Sequence, residues 1–232
     1  MVIGPLIKRR RRVLGATCST HFIHDGFSDL IIILLPVWQG EFGLSLSQVG
    51  VISSTYSGAM SIGQLPAGLA AERWGERRIL VVGTFLAGTG FCLLGFAGGA
   101  LGLALALVLA GIGNSPQHPL NSTLVARAYQ DGPVRTALGI YNFSGDLGKM
   151  AVPGLAALAL ASLDWRYVTY SYGGFGIAAA IGLLFLLRLL STGARPKNPT
   201  KRHYSLRMSF HPEFSRKKVM EVEPPTSAYH RL

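Results

Sequence analysis

Charge is scarce in this chain. Asp, Glu, Lys and Arg make up 14% of its 232 residues, against roughly 25% in an ordinary soluble domain. Negative charge is scarcer still, with 11 acidic residues facing 22 Lys and Arg for a net charge of +11. Cysteine is nearly absent. Cys18 and Cys92 both fall inside apolar runs, so they read as small packing residues and no disulfide is expected. No P-loop, dinucleotide fingerprint, or Ser/His/Asp or Cys/His nucleophile arrangement occurs, which argues against ATP-driven work and enzymatic catalysis and implies no cofactor. A sequence pI of about 10.1 invites a nucleic-acid reading. The basic residues, however, are not interleaved with aromatics on a folded face, and no nucleic-acid partner is expected.

What the chain has in quantity is apolar length and glycine: 49% hydrophobic residues and 29 glycines, a combination typical of membrane helices. Apolar runs of membrane length lie near 14–38, 47–71, 78–97, 102–126, 137–161 and 167–190. They predict an all-α integral membrane protein with six spans. Residues 1–13 would form a basic cytoplasmic N-terminus, 14–191 the bundle, and 192–232 a polar, basic, disordered cytoplasmic tail. Fifteen basic residues flank the spans on one side: Lys8 to Arg12, Arg73, Arg77, Arg78, Arg127, Arg135, Arg188, Arg195, Lys197, Lys201 and Arg202. The alternate loops hold only Arg166. That asymmetry predicts a multi-pass protein of the inner or plasma membrane with both termini inside. The apolar run after the basic start is too long for a cleavable signal peptide and lacks a clean cleavage site.

Within the first run, His21, Asp25 and Asp29 fall within about 80° of one another at helical spacing, with Ser28 among them and His24 flanking. Ile23, Phe27, Leu30, Ile31 and Leu34 occupy the opposite arc. An ionisable group in hydrocarbon costs roughly 2.5 kcal/mol or more, so such groups face a bundle interior or a water-filled cavity. A buried polar cluster that only fixes packing is the plainer reading; a substrate or proton pathway is the sharper one. The fourth run carries Asn114 and His118 among Gly111, Gly113, Pro116 and Pro119. Runs 1 and 4, the most polar and most interrupted, occupy matching places in a three-plus-three repeat, where transporters bind substrate. At 1.5 Å per residue His21 and His118 both lie roughly 12–14 Å from the cytosolic side, Asp146 roughly 15 Å, and Lys149 roughly 20 Å, near the level of Asp25. Asp146 and Lys149, at i,i+3, could simply neutralise each other, or Lys149 could reach an anionic substrate. Gly139, Gly145, Gly148 and Gly154 suggest close helix approach on the fifth run.

Three segments carry a specific resemblance: the His/Asp-bearing first helix ending in Pro36, the E-F-G-L-S-L-S-Q-V-G entry into the second, and G-I-G-N-S-P-Q-H-P in the fourth. Over residues 13–191 the chain resembles the major facilitator superfamily, in the branch that includes fosmidomycin-resistance efflux proteins. Gly68, Glu72, Arg73, Gly75, Arg77 and Arg78 match that superfamily's signature between spans 2 and 3, which implies a cytosolic gate. Glu72 stands where Asp is usual, and Glu76 where a basic residue is common. Leu107 stands where many proton-coupled drug exporters carry Arg. The resemblance implies half of a twelve-helix fold, two three-helix inverted repeats, working as an antiporter in drug resistance. Efflux of a small polar or amphiphilic solute by exchange with protons would run along His21, His24, Asp25, Asp29, Asn114, His118, Asp146 and Lys149, with no metal. Its partners would be the lipid bilayer, a small-molecule substrate, protons, and a second six-span half or a homodimer. Two other readings remain open: a non-transporting fragment that assembles with another half, and a membrane enzyme with a metal on His21, His24, Asp25 and His118.

Overall fold

The computed structural model describes residues 3–189, and the expectations for the 192–232 tail lie outside them. The chain divides into Met1–Ala194 and Arg195–Leu232, and all that follows concerns the first unit. Its regular structure, among the described residues, is entirely helical. The helices are α1 (Ile3–Phe42), α2 (Leu46–Trp74), α3 (Glu76–Leu94), α4 (Ala100–Asn114), α5 (Gln117–Ala128), α6 (Val134–Leu160) and α7 (Trp165–Leu189).

The helix boundaries follow local chemistry. Gly43, at φ +60, ends α1 in the left-handed region that glycine enters without strain. Two residues on, Ser45 accepts the Gln48 backbone N–H at 3.2 Å while the Gln48 side chain accepts the Ser45 N–H at 2.8 Å. That capping box opens α2 and gives the G-L-S-L-S-Q segment its physical meaning. Gly75, at φ +94, closes α2 and opens α3 in a single residue. The basic residues Lys8 to Arg12 form part of the first turns of α1.

The expectation that runs 1 and 4 are both interrupted is corrected for the first. Pro36 lies inside α1 and the helix continues to Phe42, since a single proline removes one hydrogen bond from a long ladder. In the fourth run the chain does break, at Ser115–Pro116 between α4 and α5. Pro116 sits at the N-cap of α5 and Pro119 in its first turn, where the missing N–H would have had no helical partner.

Four helical segments are long and apolar enough to cross a bilayer: Ile7–Phe42, Glu76–Leu94, Ala100–Ala128 and Trp165–Leu186. Length and apolarity alone support four of the six spans expected from sequence. α2 and α6, with 29 and 27 residues, have the length, but polar residues such as Ser53, Gln64, Arg135, Asp146 and Lys149 dilute their hydrophobicity.

Packing places α1 in the middle. Its apolar arc, Phe27, Leu30, Ile31, Leu34 and Trp38, enters one core with Ile52 and Tyr56 of α2, Phe91 and Leu94 of α3, Leu103 and Leu107 of α4, and Trp165 of α7. Its principal neighbour is α6, with α5 also against it. The expected close approach is made at two of the four glycines. A Cβ at Gly145 would lie 2.6 Å from Asp25 Oδ2, and one at Gly148 would strike the Phe22 backbone, whereas Gly139 and Gly154 face open space. Many large apolar side chains point outward, among them Leu65, Phe96, Leu101 and Met150. An apolar exterior of this kind suits lipid, since a water-soluble surface rarely carries such patches.

Candidate functional site

The polar stripe of α1 divides into two clusters because its residues point to different neighbours. His24 turns toward α3 and α4 and is fully buried. Its Nδ1 meets the Asn114 side-chain oxygen, and its Nε2 lies 3.1 Å from Thr84 Oγ1. Asn114 Nδ2 donates to Tyr56 Oη at 2.6 Å and to Ser28 Oγ at 3.1 Å. Ser28 and Tyr56 hydroxyls join at 2.8 Å. Gln117 donates to Thr84 Oγ1 at 2.9 Å, and Asn121 donates to Gln117 Oε1 at 3.1 Å and Thr20 Oγ1 at 3.2 Å. This chain of uncharged groups ties α1, α2, α3, α4 and α5 together with both ring nitrogens of His24 engaged. A buried polar network satisfied in this way fixes register and position. His24 and Asn114, expected on a substrate or proton pathway, meet each other within this network.

The second cluster gathers on the α5–α6 side around Asp25. His21 Nε2 lies 3.2 Å from Asp25 Oδ2, His118 Nε2 lies 3.4 Å from Oδ1, and Lys149 Nζ lies 3.2 Å from Oδ2. Lys149 also reaches Asp146 Oδ1 at 3.4 Å, so it bridges two carboxylates from two helices and is not confined to its i,i+3 pair. Asp29, one turn further along α1, is half-buried and within electrostatic reach of Lys149 and Asp25. His21 and Asp25 are buried, whereas the side chains of His118 and Lys149 are 39% and 43% exposed. The cluster therefore has a closed floor and an open mouth. These contacts bring residues of α1, α5 and α6 together.

The proton inventory of the floor follows from geometry. His21 Nδ1 lies 2.8 Å from the Tyr141 carbonyl oxygen, which can only accept, so Nδ1 carries hydrogen. Nε2 then faces the Asp25 carboxylate. Tyr141 also stacks on the imidazole, with centroids 4.0 Å apart and an interplanar angle of 14°. Gly145 supplies the space that this pair occupies. Sequence reasoning passed over Tyr141, Thr84, Gln117 and Tyr56. Gln117 and Asn121 could have been found by their spacing from Asn114 on one helical run. Tyr141 acts through its carbonyl and leaves no such signal.

At the turn expected to form the gate, Gly75 makes the backbone corner. Glu72, Arg73 and Arg78 are exposed, Arg77 is half-buried, and Gly68 lies within α2. Arg73 rests over the Trp74 ring at 5.8 Å. Glu76 pairs with Arg127 at 2.6 Å, joining the start of α3 to the end of α5. At the opposite end Arg166 bridges Glu41 at 3.0 Å and Asp164 at 3.7 Å, and lies 4.4 Å over Trp165. A separate groove of about 860 Å³ runs between α2, α3 and α4. Its walls, including Ile62, Leu86, Val108 and Ile112, carry no charged group.

Among the described residues, an all-helical bundle with an apolar exterior is the build of a multi-pass membrane protein, and the half-open titratable cluster lies within it. Residues 17–226 match the family model of the Major Facilitator Superfamily, and the chain belongs to that family. Over 177 residues it is 30% identical to the fosmidomycin resistance protein of Escherichia coli, covering 76% of this chain and 42% of that protein. It is 28% identical over 160 residues to a protein named "Probable sulfoacetate transporter SauU" from Cupriavidus necator, covering 69% of this chain and 37% of that protein. It is 26% identical over 205 residues to one named "Probable anion transporter 6, chloroplastic" from Arabidopsis thaliana, covering 84% and 40%. The chain thus spans about two fifths of the length of these relatives.

Proposed function

We propose that this chain supplies the six-span, N-terminal half of a proton-coupled secondary transporter for a small organic anion, acting in the direction of efflux. α4 and α5 would together make one span, and α2 and α6 would complete the six. Both termini would lie in the cytoplasm of an inner or plasma membrane, a reading supported by the asymmetry of basic residues between alternate loops. The second half would come from another six-span segment or from a second copy of the chain. Efflux rests on likeness to the fosmidomycin resistance protein.

One observation carries the reading: a single buried carboxylate, Asp25, is held by His21, His118 and Lys149, two of which face outward. A proton arriving at this cluster neutralises Asp25 or charges a histidine. Either event weakens the hold on Lys149 or adds positive charge at the mouth. The positive groups at the mouth suit an anionic solute, as do the printed names of the sulfoacetate and anion transporters. Asp25 and His21 would carry the proton, His118 and Lys149 would meet the anion, and Asp29 and Asp146 would adjust the charge around them. The segment Gly68 to Arg78 would serve as the cytosolic gate.

The test is transport in vesicles carrying the chain with a complementing half. Asp25→Asn is expected to abolish solute movement driven by a pH gradient while leaving membrane insertion intact. Lys149→Gln is expected to raise KM for an organic anion more than it lowers kcat. Unchanged gradient-driven transport in Asp25→Asn overturns the proposal.

A further inference from the structure

We propose that His21 Nε2, His118 Nε2 and a carboxylate oxygen of Asp25 form a binding site for a divalent transition-metal ion of the Zn2+ class. The three ligand atoms lie within 4.8 Å of one another. His21 Nε2 lies 3.2 Å from Asp25 Oδ2 and His118 Nε2 lies 3.4 Å from Oδ1, so each imidazole stands from one carboxylate oxygen at about the 3.4 Å that bonds of about 2.0–2.1 Å set between neighbouring tetrahedral donors. The rings of His21 and His118 meet edge to face with centroids 5.1 Å apart, so both nitrogens converge on Asp25 without stacking over it.

The surroundings favour this set in three ways. Metal-bound histidines characteristically donate their other ring N–H to a carbonyl or carboxylate, which fixes the tautomer and aims the lone pair. His21 Nδ1 does this to the Tyr141 carbonyl at 2.8 Å. His118 is 39% exposed on its side chain, so it has an entry path and the freedom to close on an ion. His24 does not belong to the set, because Asn114 and Thr84 occupy its nitrogens. Two imidazoles and one carboxylate select Zn2+, Co2+, Ni2+ or Cu2+ over Mg2+ and Ca2+. Three protein ligands leave a fourth position for water or a solute anion.

Lys149 is the built-in competitor. Its ammonium occupies the Asp25 carboxylate at 3.2 Å, but Asp146 offers it a second carboxylate at 3.4 Å. An ion entering the site leaves Lys149 paired within α6. The metal and the ammonium therefore compete for Asp25, and removing the ammonium strengthens metal binding.

The experiment uses the full chain purified in mild detergent without a histidine tag and titrated with Co2+, then Zn2+ in competition. Visible Co2+ absorption reads the coordination geometry. One equivalent of Co2+ with an intense four- or five-coordinate band is expected, displaced by Zn2+ and not by Mg2+. Replacing His118 with Ala, a substitution at a half-exposed side chain, is expected to weaken binding by more than the roughly 10–100-fold that loss of an outer-sphere partner causes. Lys149→Met is expected to tighten it. The tail histidines His203, His211 and His230 are controlled by changing all three to Ala, which is expected to leave the band intact. Absence of the band in the parent chain, equal affinity in His118→Ala, or loss of the band in the tail variant overturns the proposal. No step reads transport, so the outcome is independent of the transport test above.

Discussion

At the scale of single residues, Asp25 of α1 and Asn114 of α4 show two kinds of buried polarity. Asp25 is a buried carboxylate surrounded by groups that can be charged. Asn114 is neutral, and its amide holds His24, Tyr56 and Ser28. Removing the Asn114 amide strands buried partners, each at a cost of about 1–3 kcal/mol. Asn114→Leu is therefore expected to lower the thermal unfolding midpoint in detergent by several degrees. Gly145→Ala tests the other cluster. Its methyl group would sit 2.6 Å from both Asp25 Oδ2 and His21 Cε1, and overpacking of this kind costs about 1–3 kcal/mol. Transport activity is expected to fall with the midpoint, because the methyl group drives His21 and Asp25 apart. An unchanged midpoint and unchanged activity would show that α6 stands further from α1 than the described contacts place it.

At the scale of elements, the corner between α2 and α3 separates a geometric requirement from an electrostatic one. Gly75 holds φ +94, where a branched side chain brings about 1–3 kcal/mol of backbone strain. The neighbouring Glu76–Arg127 pair is 21% and 65% exposed on its side chains, and exposed pairs contribute about 0–1 kcal/mol. Gly75→Val is expected to reduce the folded yield and the unfolding midpoint clearly, and Glu76→Gln to leave both nearly unchanged. Detergent melts of the two variants side by side check this. An equal or larger effect of Glu76→Gln would mean that the charge, and not the corner, holds this end of the bundle.

At the scale of the molecule, orientation and assembly are the open physical questions that the bundle poses. With Cys18 and Cys92 changed to Ser, a single cysteine introduced at Ser162, between α6 and α7, is expected to react with a membrane-impermeant maleimide from outside intact cells. One at Gly132, between α5 and α6, is expected to react only after permeabilisation. The reverse pattern would place the termini outside. The mouth formed by His118 and Lys149 is open on the described chain. A discrete dimer, or a complex with another six-span chain in mild detergent, is the expected state of a transporting assembly.

The sequence by itself determined the helical class and, apart from the start of α1 at Ile3, the ends of the expected spans to within a few residues. Each of these follows from local or periodic constraints: apolar length, capping residues, proline and glycine placement, and the fixed rise of a helix. Only the tertiary structure decided that His24 turns to Thr84 and Asn114, and that Lys149 reaches beyond its own helix to Asp25 while keeping Asp146. It also decided that the Tyr141 carbonyl orients His21 and that Pro36 does not break α1. Helical periodicity tells which direction a side chain points but not which neighbour waits there. α6 packed on one flank of α1, with Thr84 of α3 and Asn114 of α4 reaching the other, divided a single polar stripe into an uncharged network and a titratable cluster.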